Sequence, residues 1–146
     1  MPVALLVFVL DRVTKAVVQA SLTPGQHVQV LGDLLWVDYA RNTGIAFSLA
    51  RSHGSAVFIF DVVAILFIIY LALNLPPGET WMPIGLGLVL GGAVGNALDR
   101  VLAGAVTDFI DFRVFPVFNV ADMGITVGAA VLAWRLYRGS RTEETA

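Results

Sequence analysis

Residues 55–75 run from Ser55 to Leu75 with one charged side chain, Asp61, and end at Pro76-Pro77-Gly78. A stretch that apolar and that long has few ways to fold in water, whereas about 20 residues of helix match ~30 Å of hydrocarbon. Three further segments have the same character: 2–20, 81–98 and 120–137. Among all 146 residues 58% are apolar and 14% are charged, against about a quarter charged in an ordinary soluble domain. These features predict an all-α membrane protein, with four transmembrane helices forming a single integral domain over residues 1–146. The first segment looks superficially like a signal peptide. It lacks a basic start and a small-residue cleavage site, and Asp11 interrupts it, so it is read as a retained first helix.

Arg135, Arg138 and Arg141 cluster at the end of the fourth segment and just beyond it and place the C-terminus in the cytoplasm by the positive-inside rule. An even number of spans returns the N-terminus to the same side, leaving 21–54 and 99–119 extracytoplasmic. Arg41, Arg51, Arg100 and Arg113 lie on that outer side and are read as site residues. Within 21–54, Val28, Val30, Leu35, Val37, Tyr39, Ile45 and Phe47 form short alternating runs, and Gly32-Asp33 and Asn42-Thr43-Gly44 supply turns. A small β-sheet at the membrane surface fits that pattern. In the third segment Gly87, Gly91 and Gly95 recur every fourth residue, a smooth stripe for close approach of a helix or of a substrate chain.

The chain has no cysteine, two histidines (His27 and His53) and a net charge of −2. Disulfides, thiolate sites, metal catalysis and nucleic-acid binding are therefore not expected. The chemistry has to come from carboxylates, which in a membrane protein default to functional readings because of their cost in hydrocarbon. Asp108 and Asp122 flank a hydrophobic loop, and two carboxylates brought together compete for one proton. Asn119-x-x-Asp122 also reads as a helix N-cap with an acid in the first turn, a role compatible with catalysis and favourable to an ionised Asp122. That makes Asp108 the candidate proton holder, although coupled carboxylates titrate as a pair and sequence does not assign the proton to one of them. Asp111 competes with Asp108 and is read instead as a solvated partner of Arg113.

Asn96, Asp99 and Arg100 close the third segment. Asp99 is unfavourable at a helix C-terminus and needs a partner, with Lys15 and Arg100 as candidates. Asp11 and Lys15 share one helix face by their spacing. These residues form either an interfacial ion network or a support for the catalytic loop. Asp61 has no partner nearby in sequence and is read as a snorkelling or neutral carboxyl.

Taken together, the chain resembles the lipoprotein signal peptidase (signal peptidase II) family of bacteria. The blocks are Asp11-Arg-Val-Thr-Lys15, Arg41-Asn42-Thr43-Gly44-Ile-Ala-Phe47-Ser48, Gly91 to Arg100, Val106 to Phe112 and Phe118-Asn119-Val-Ala-Asp122, in family order over nearly the whole chain. The resemblance implies four transmembrane helices with an extracytoplasmic sheet cradling the site. It implies an aspartic endopeptidase that cleaves prolipoproteins just before a diacylglyceryl-modified cysteine. The catalytic dyad maps to Asp108 and Asp122, and the substrate-binding or supporting positions map to Asn42, Asn96, Asp99, Arg100 and Asn119, with Asp11 and Lys15 further out. Globomycin is the expected inhibitor, a monomer in the inner membrane in contact with lipid is the expected state, and no cofactor is expected. Three points depart from the family: the short lead before Asp11, which points to a late start or a short first helix, the brief stretch between the two aspartates, and Asp61, which matches no family block. Rival readings find less support. No histidine sits in a membrane helix near a serine, the Gly-x-Gly-Asp signature is missed by Val30-Leu-Gly-Asp33, and a transporter's internal repeats are absent.

Overall fold

Pro2 opens the first helix where its missing N–H costs nothing, and α1 runs Pro2–Ser21. The computed structural model describes residues 1–44 and 54–144. The remaining elements are β1 (His27–Leu31), β2 (Leu35–Asn42), α2 (Gly54–Leu73), α3 (Trp81–Ala103), β3 (Val106–Asp111) and α4 (Val120–Glu144). Helix starts agree with the apolar runs to within a residue. The ends of α3 and α4 do not, because hydropathy falls before the backbone hydrogen bonding stops. Helix α3 continues to Gly104, whose φ of 69° provides a left-handed C-cap. Residues 99–103, expected in an extracytoplasmic segment, are therefore helical.

Among the described residues, α3 and the stretch Val120–Gly139 of α4 are long and apolar enough to cross a membrane, while Val57–Leu73 of α2 is apolar but shorter. Helix α1 carries Asp11, Arg12 and Lys15 in its second half. Polarity is distributed in the reverse of the soluble pattern. Leu5, Leu6, Val13 and Val17 of α1 and Phe60, Leu66, Phe67 and Leu73 of α2 are exposed, whereas Asp11, Lys15, Asn96, Asp99, Asp108 and Asn119 are buried.

Helix α3 is the hub, packed against α1, α2, α4 and β3. Its glycines set the spacing. A β-carbon on Gly91 would stand 2.4 Å from the Ala4 carbonyl oxygen of α1, and one on Gly92 would stand 2.3 Å from the Ala121 carbonyl oxygen of α4. Gly87 and Gly95 likewise meet Val3 and Asp11. The stripe Gly87, Gly91, Gly95 is thus the seat of α1, and Gly92 forms a second seat for α4.

The hairpin β1–β2 turns around Gly32-Asp33, with Leu31 opposite Leu35. Asn42 accepts the Gly44 N–H on its Oδ1 at 2.8 Å, a side-chain turn that ends β2. Ile45, Phe47, Ser48, Arg51 and His53 lie outside the described residues. The sheet has a third strand absent from the sequence reading. β3 joins β2 antiparallel in the order β1-β2-β3, with Ala40 opposite Asp108.

Candidate active site

Strand β3 carries Asp108 into the interior, with Val106 to Phe109 all buried. Asp108 and Asp111 sit three residues apart on a strand, so they point to opposite faces. A helical turn would have placed them together; the strand separates them. Asp111 does pair with Arg113, which donates its backbone N–H to Oδ1 at 2.6 Å and holds Nε 3.4 Å from Oδ2. The expectation that Asp111 is solvated fails, since it is only 5% exposed.

Three asparagines from three elements converge on the two other aspartates. Asn42 at the end of β2 donates to Asp108 Oδ2 at 2.9 Å, and Asn119 donates to Asp108 Oδ1 at 2.6 Å. Asn96 of α3 donates to Asp122 Oδ1 at 2.8 Å. Asn119 is also the N-cap of α4. Its Oδ1 accepts the Asp122 N–H at 2.9 Å, while Asp122 Oδ2 accepts the Asn119 N–H at 3.2 Å. That is a reciprocal capping box, so the capping reading of Asn119-x-x-Asp122 holds, and the cap itself brings Asp122 to Asp108. Burial raises the Asp108 pKa, with the neighbouring Asp122 charge adding to it, and the amide donors of Asn42 and Asn119 pull the other way.

Behind the asparagines lies a buried ionic layer. Lys15 Nζ donates to Asn96 Oδ1 at 2.9 Å and lies 2.9 Å from both Asp11 Oδ2 and Asp99 Oδ2. An ammonium has three N–H groups and no acceptor; here it donates to Asn96 Oδ1 and forms ion pairs with the two carboxylates. Because Lys15 claims the Asn96 oxygen, the Asn96 amide must turn its NH2 toward Asp122. Asp11 Oδ1 accepts the Ala121 N–H at 3.0 Å, and Asp99 Oδ2 accepts the Thr107 N–H at 3.2 Å. Asp11 thus ties α1 to the first turn of α4, and Asp99 ties α3 to β3. Asp99 is also paired with Arg12, which the sequence reading passed over. Its place one residue after Asp11 was the available signal.

Arg100 does not join this layer. It turns to α2, where its guanidinium lies 2.7 Å from Asp61 Oδ2, so Asp61 is neither snorkelling nor unpaired. The partner was invisible in sequence because it lies on a different helix. Arg41 instead donates to the Ala103 carbonyl oxygen at 2.6 Å, tying β2 to the end of α3.

Asp122 borders two open cavities. One, of about 330 Å³, is lined by Phe115, Phe118, Met123, Thr126 and Val127 on the outer side of α4. The other, of about 280 Å³, lies between α2, α3 and α4 and includes Asp61, Asn96 and Arg100. Among the described residues no group of three His, Cys, Asp or Glu side chains is placed to hold a metal ion. The arrangement offers two neighbouring carboxyl groups oriented by amides, of which Asp122 borders the cavities and Asp108 lies buried behind it.

Comparison with known proteins bears on the whole chain. The family described as signal peptidase (SPase) II matches residues 3–138. A lipoprotein signal peptidase of Pseudomonas aeruginosa is 45% identical over 154 aligned residues, which cover 99% of this chain and 90% of that protein. One of Moorella thermoacetica is 39% identical, covering 91% of this chain and 89% of that protein. Two solved structures, each described as a bacterial membrane enzyme, superpose with a TM-score of 0.86. One is 29% identical and covers 94% of this chain and 87% of that chain. The other is 30% identical and covers 92% and 89%.

Proposed function

The chain belongs to the signal peptidase II family, and from that membership we propose that it is an aspartic endopeptidase of the bacterial membrane. Members of this family cleave lipoprotein signal peptides. In this reading the substrate is a diacylglyceryl-modified prolipoprotein, and the bond broken lies just before the lipidated cysteine. The observation that carries it is the sharing of Asn119 by Asp108 and Asp122, which holds two carboxyl groups next to each other, Asp108 buried and Asp122 partly exposed.

Asp108, with its raised pKa, holds the single proton and hydrogen-bonds the scissile carbonyl. Asp122 receives N–H groups from Asn96 and Asn119 at the N-terminal end of α4. It takes the proton of the attacking water. Asp108 then passes its proton to the leaving amine, and no covalent intermediate forms. Asn42, Asn119 and Arg100 are the groups assigned to the peptide backbone of the substrate.

All four helices cross the membrane in this reading. The exposed leucines and phenylalanines of α1 and α2 are then covered by lipid tails, and the charges of α1 face inward on one another. The sheet and the dyad lie on the extracytoplasmic side, with Arg135, Arg138 and Arg141 in the cytoplasm. The protein acts as a monomer and is blocked by globomycin. The test is cleavage of a diacylglyceryl prolipoprotein by the purified protein in detergent, with and without globomycin. Globomycin-sensitive cleavage before the lipidated cysteine is the expected result. A folded protein that cleaves nothing ends the peptidase reading.

A further inference from the structure

Arg100 emerges from the last turns of α3 into the cavity between α2, α3 and α4, where Asp122 and Asn96 also stand. Its guanidinium donates from NH1 to Asp61 Oδ2 at 2.7 Å. A β-carbon on Gly44, just past β2, would stand 3.7 Å from NH2, so backbone covers that edge of the fork. The third edge is unused: Arg100 Nε is buried and has no hydrogen-bond partner among the described residues. A buried N–H left without an acceptor is costly, and Arg100 is one of the residues lining the cavity onto which Asp122 opens.

Asp61 matches no family block and takes no part in the chemistry derived above. What it does is fix a long, rotamer-rich side chain. A guanidinium is planar, so anchoring NH1 sets the plane and thereby the direction of the remaining N–H groups. Released from Asp61, Arg100 would have to be ordered by the substrate itself, at a cost in affinity.

We propose that Asp61 is a positioning residue for substrate: it anchors one edge of the Arg100 guanidinium so that the unused edge receives a backbone carbonyl of the signal peptide lying in the α2–α3–α4 cavity. This rests on the peptidase reading and adds to it a specificity role for a helix, α2, that supplies neither aspartate. The role falls on binding, so Asp61 governs KM and leaves kcat nearly unchanged.

The test is steady-state cleavage of a diacylglyceryl prolipoprotein by wild type, Asp61→Asn, Asp61→Glu, Arg100→Gln and the Asp61→Asn/Arg100→Gln double variant, with thermal unfolding measured alongside. Asp61→Asn should raise KM about tenfold, as expected for losing order in a charge-assisted contact, with kcat within about twofold. Asp61→Glu should recover most of the loss. In the Arg100→Gln background Asp61→Asn should add nothing, because its effect passes through Arg100. An unchanged KM in Asp61→Asn overturns the proposal, as does a loss of kcat and thermal stability together with no KM shift, or a full effect that persists without Arg100. A wild type that cleaves nothing overturns the peptidase reading and this role with it. A wild type that cleaves while Asp61→Asn matches it overturns this role alone.

Discussion

Asn119 and Asp122 hold each other from both ends: the Asn119 side chain takes the Asp122 N–H at 2.9 Å, and the Asp122 side chain takes the Asn119 N–H at 3.2 Å. The same Asn119 amide then donates to Asp108. One residue therefore starts a helix, orients one carboxylate and bonds the other.

Asn119→Ala should separate those roles. Loss of an N-cap costs about 1 kcal/mol of stability, a modest drop in unfolding temperature. Turnover should fall by about a hundredfold or more, the lower end of what a positioned acid–base pair supplies. A variant as active as wild type would show that Asn119 serves α4 alone.

Asp108→Asn and Asp122→Asn should each abolish measurable turnover, a loss of at least about a thousandfold, while the proteins remain folded. Asp111→Asn should stay within a few-fold of wild type, since Asp111 faces away from Asp108 and pairs with Arg113. Kinetics in detergent would decide it, and survival of turnover in either dyad variant would remove the mechanism.

The raised pKa of Asp108 has a sign that stability measurements can read. A folded state that binds the proton more tightly than the unfolded chain is most favoured at low pH, and the advantage is lost as pH rises through the folded pKa. The window opens near the ordinary value of 3.8 and extends upward. Asp108→Asn carries no such penalty. Its unfolding temperature relative to wild type should therefore climb with pH above that point and then level off. A difference that stays flat, or falls, would contradict the assigned shift.

Lys15→Met should destabilise the protein by about 3–5 kcal/mol, because it leaves the buried carboxylates of Asp11 and Asp99 without their shared cation. It should also release Asn96, whose oxygen Lys15 holds. Thermal unfolding in detergent checks the first effect. The second would appear as residual turnover well below that of the folded fraction.

The helix starts and the capping spacing at Asn119 and Asp122 were legible because their signals are local: apolar runs, the second of them closed by Pro76-Pro77-Gly78, and an N-cap pattern before the fourth. Strand β3 was not legible. Its residues are buried almost throughout, so no alternation marks it, and its partner β2 lies more than sixty residues earlier. The same non-locality hid the Asp61–Arg100 and Arg12–Asp99 pairs. Reading Asp111 as solvated failed because its burial comes from the sheet, which no spacing rule announced.

The backbone contacts at Gly91 and Gly92 bear on where a lineage carrying this protein has room to drift. At those two seats one added methyl group collides with main chain, which cannot swing aside, so neither position offers a graded series of viable replacements. The outward side of α2 asks only for hydrophobicity and lets Ile, Leu, Phe and Val trade places. Sequence novelty should therefore accumulate on the exposed apolar rim of α2 while the spacing of α1, α3 and α4 stays frozen.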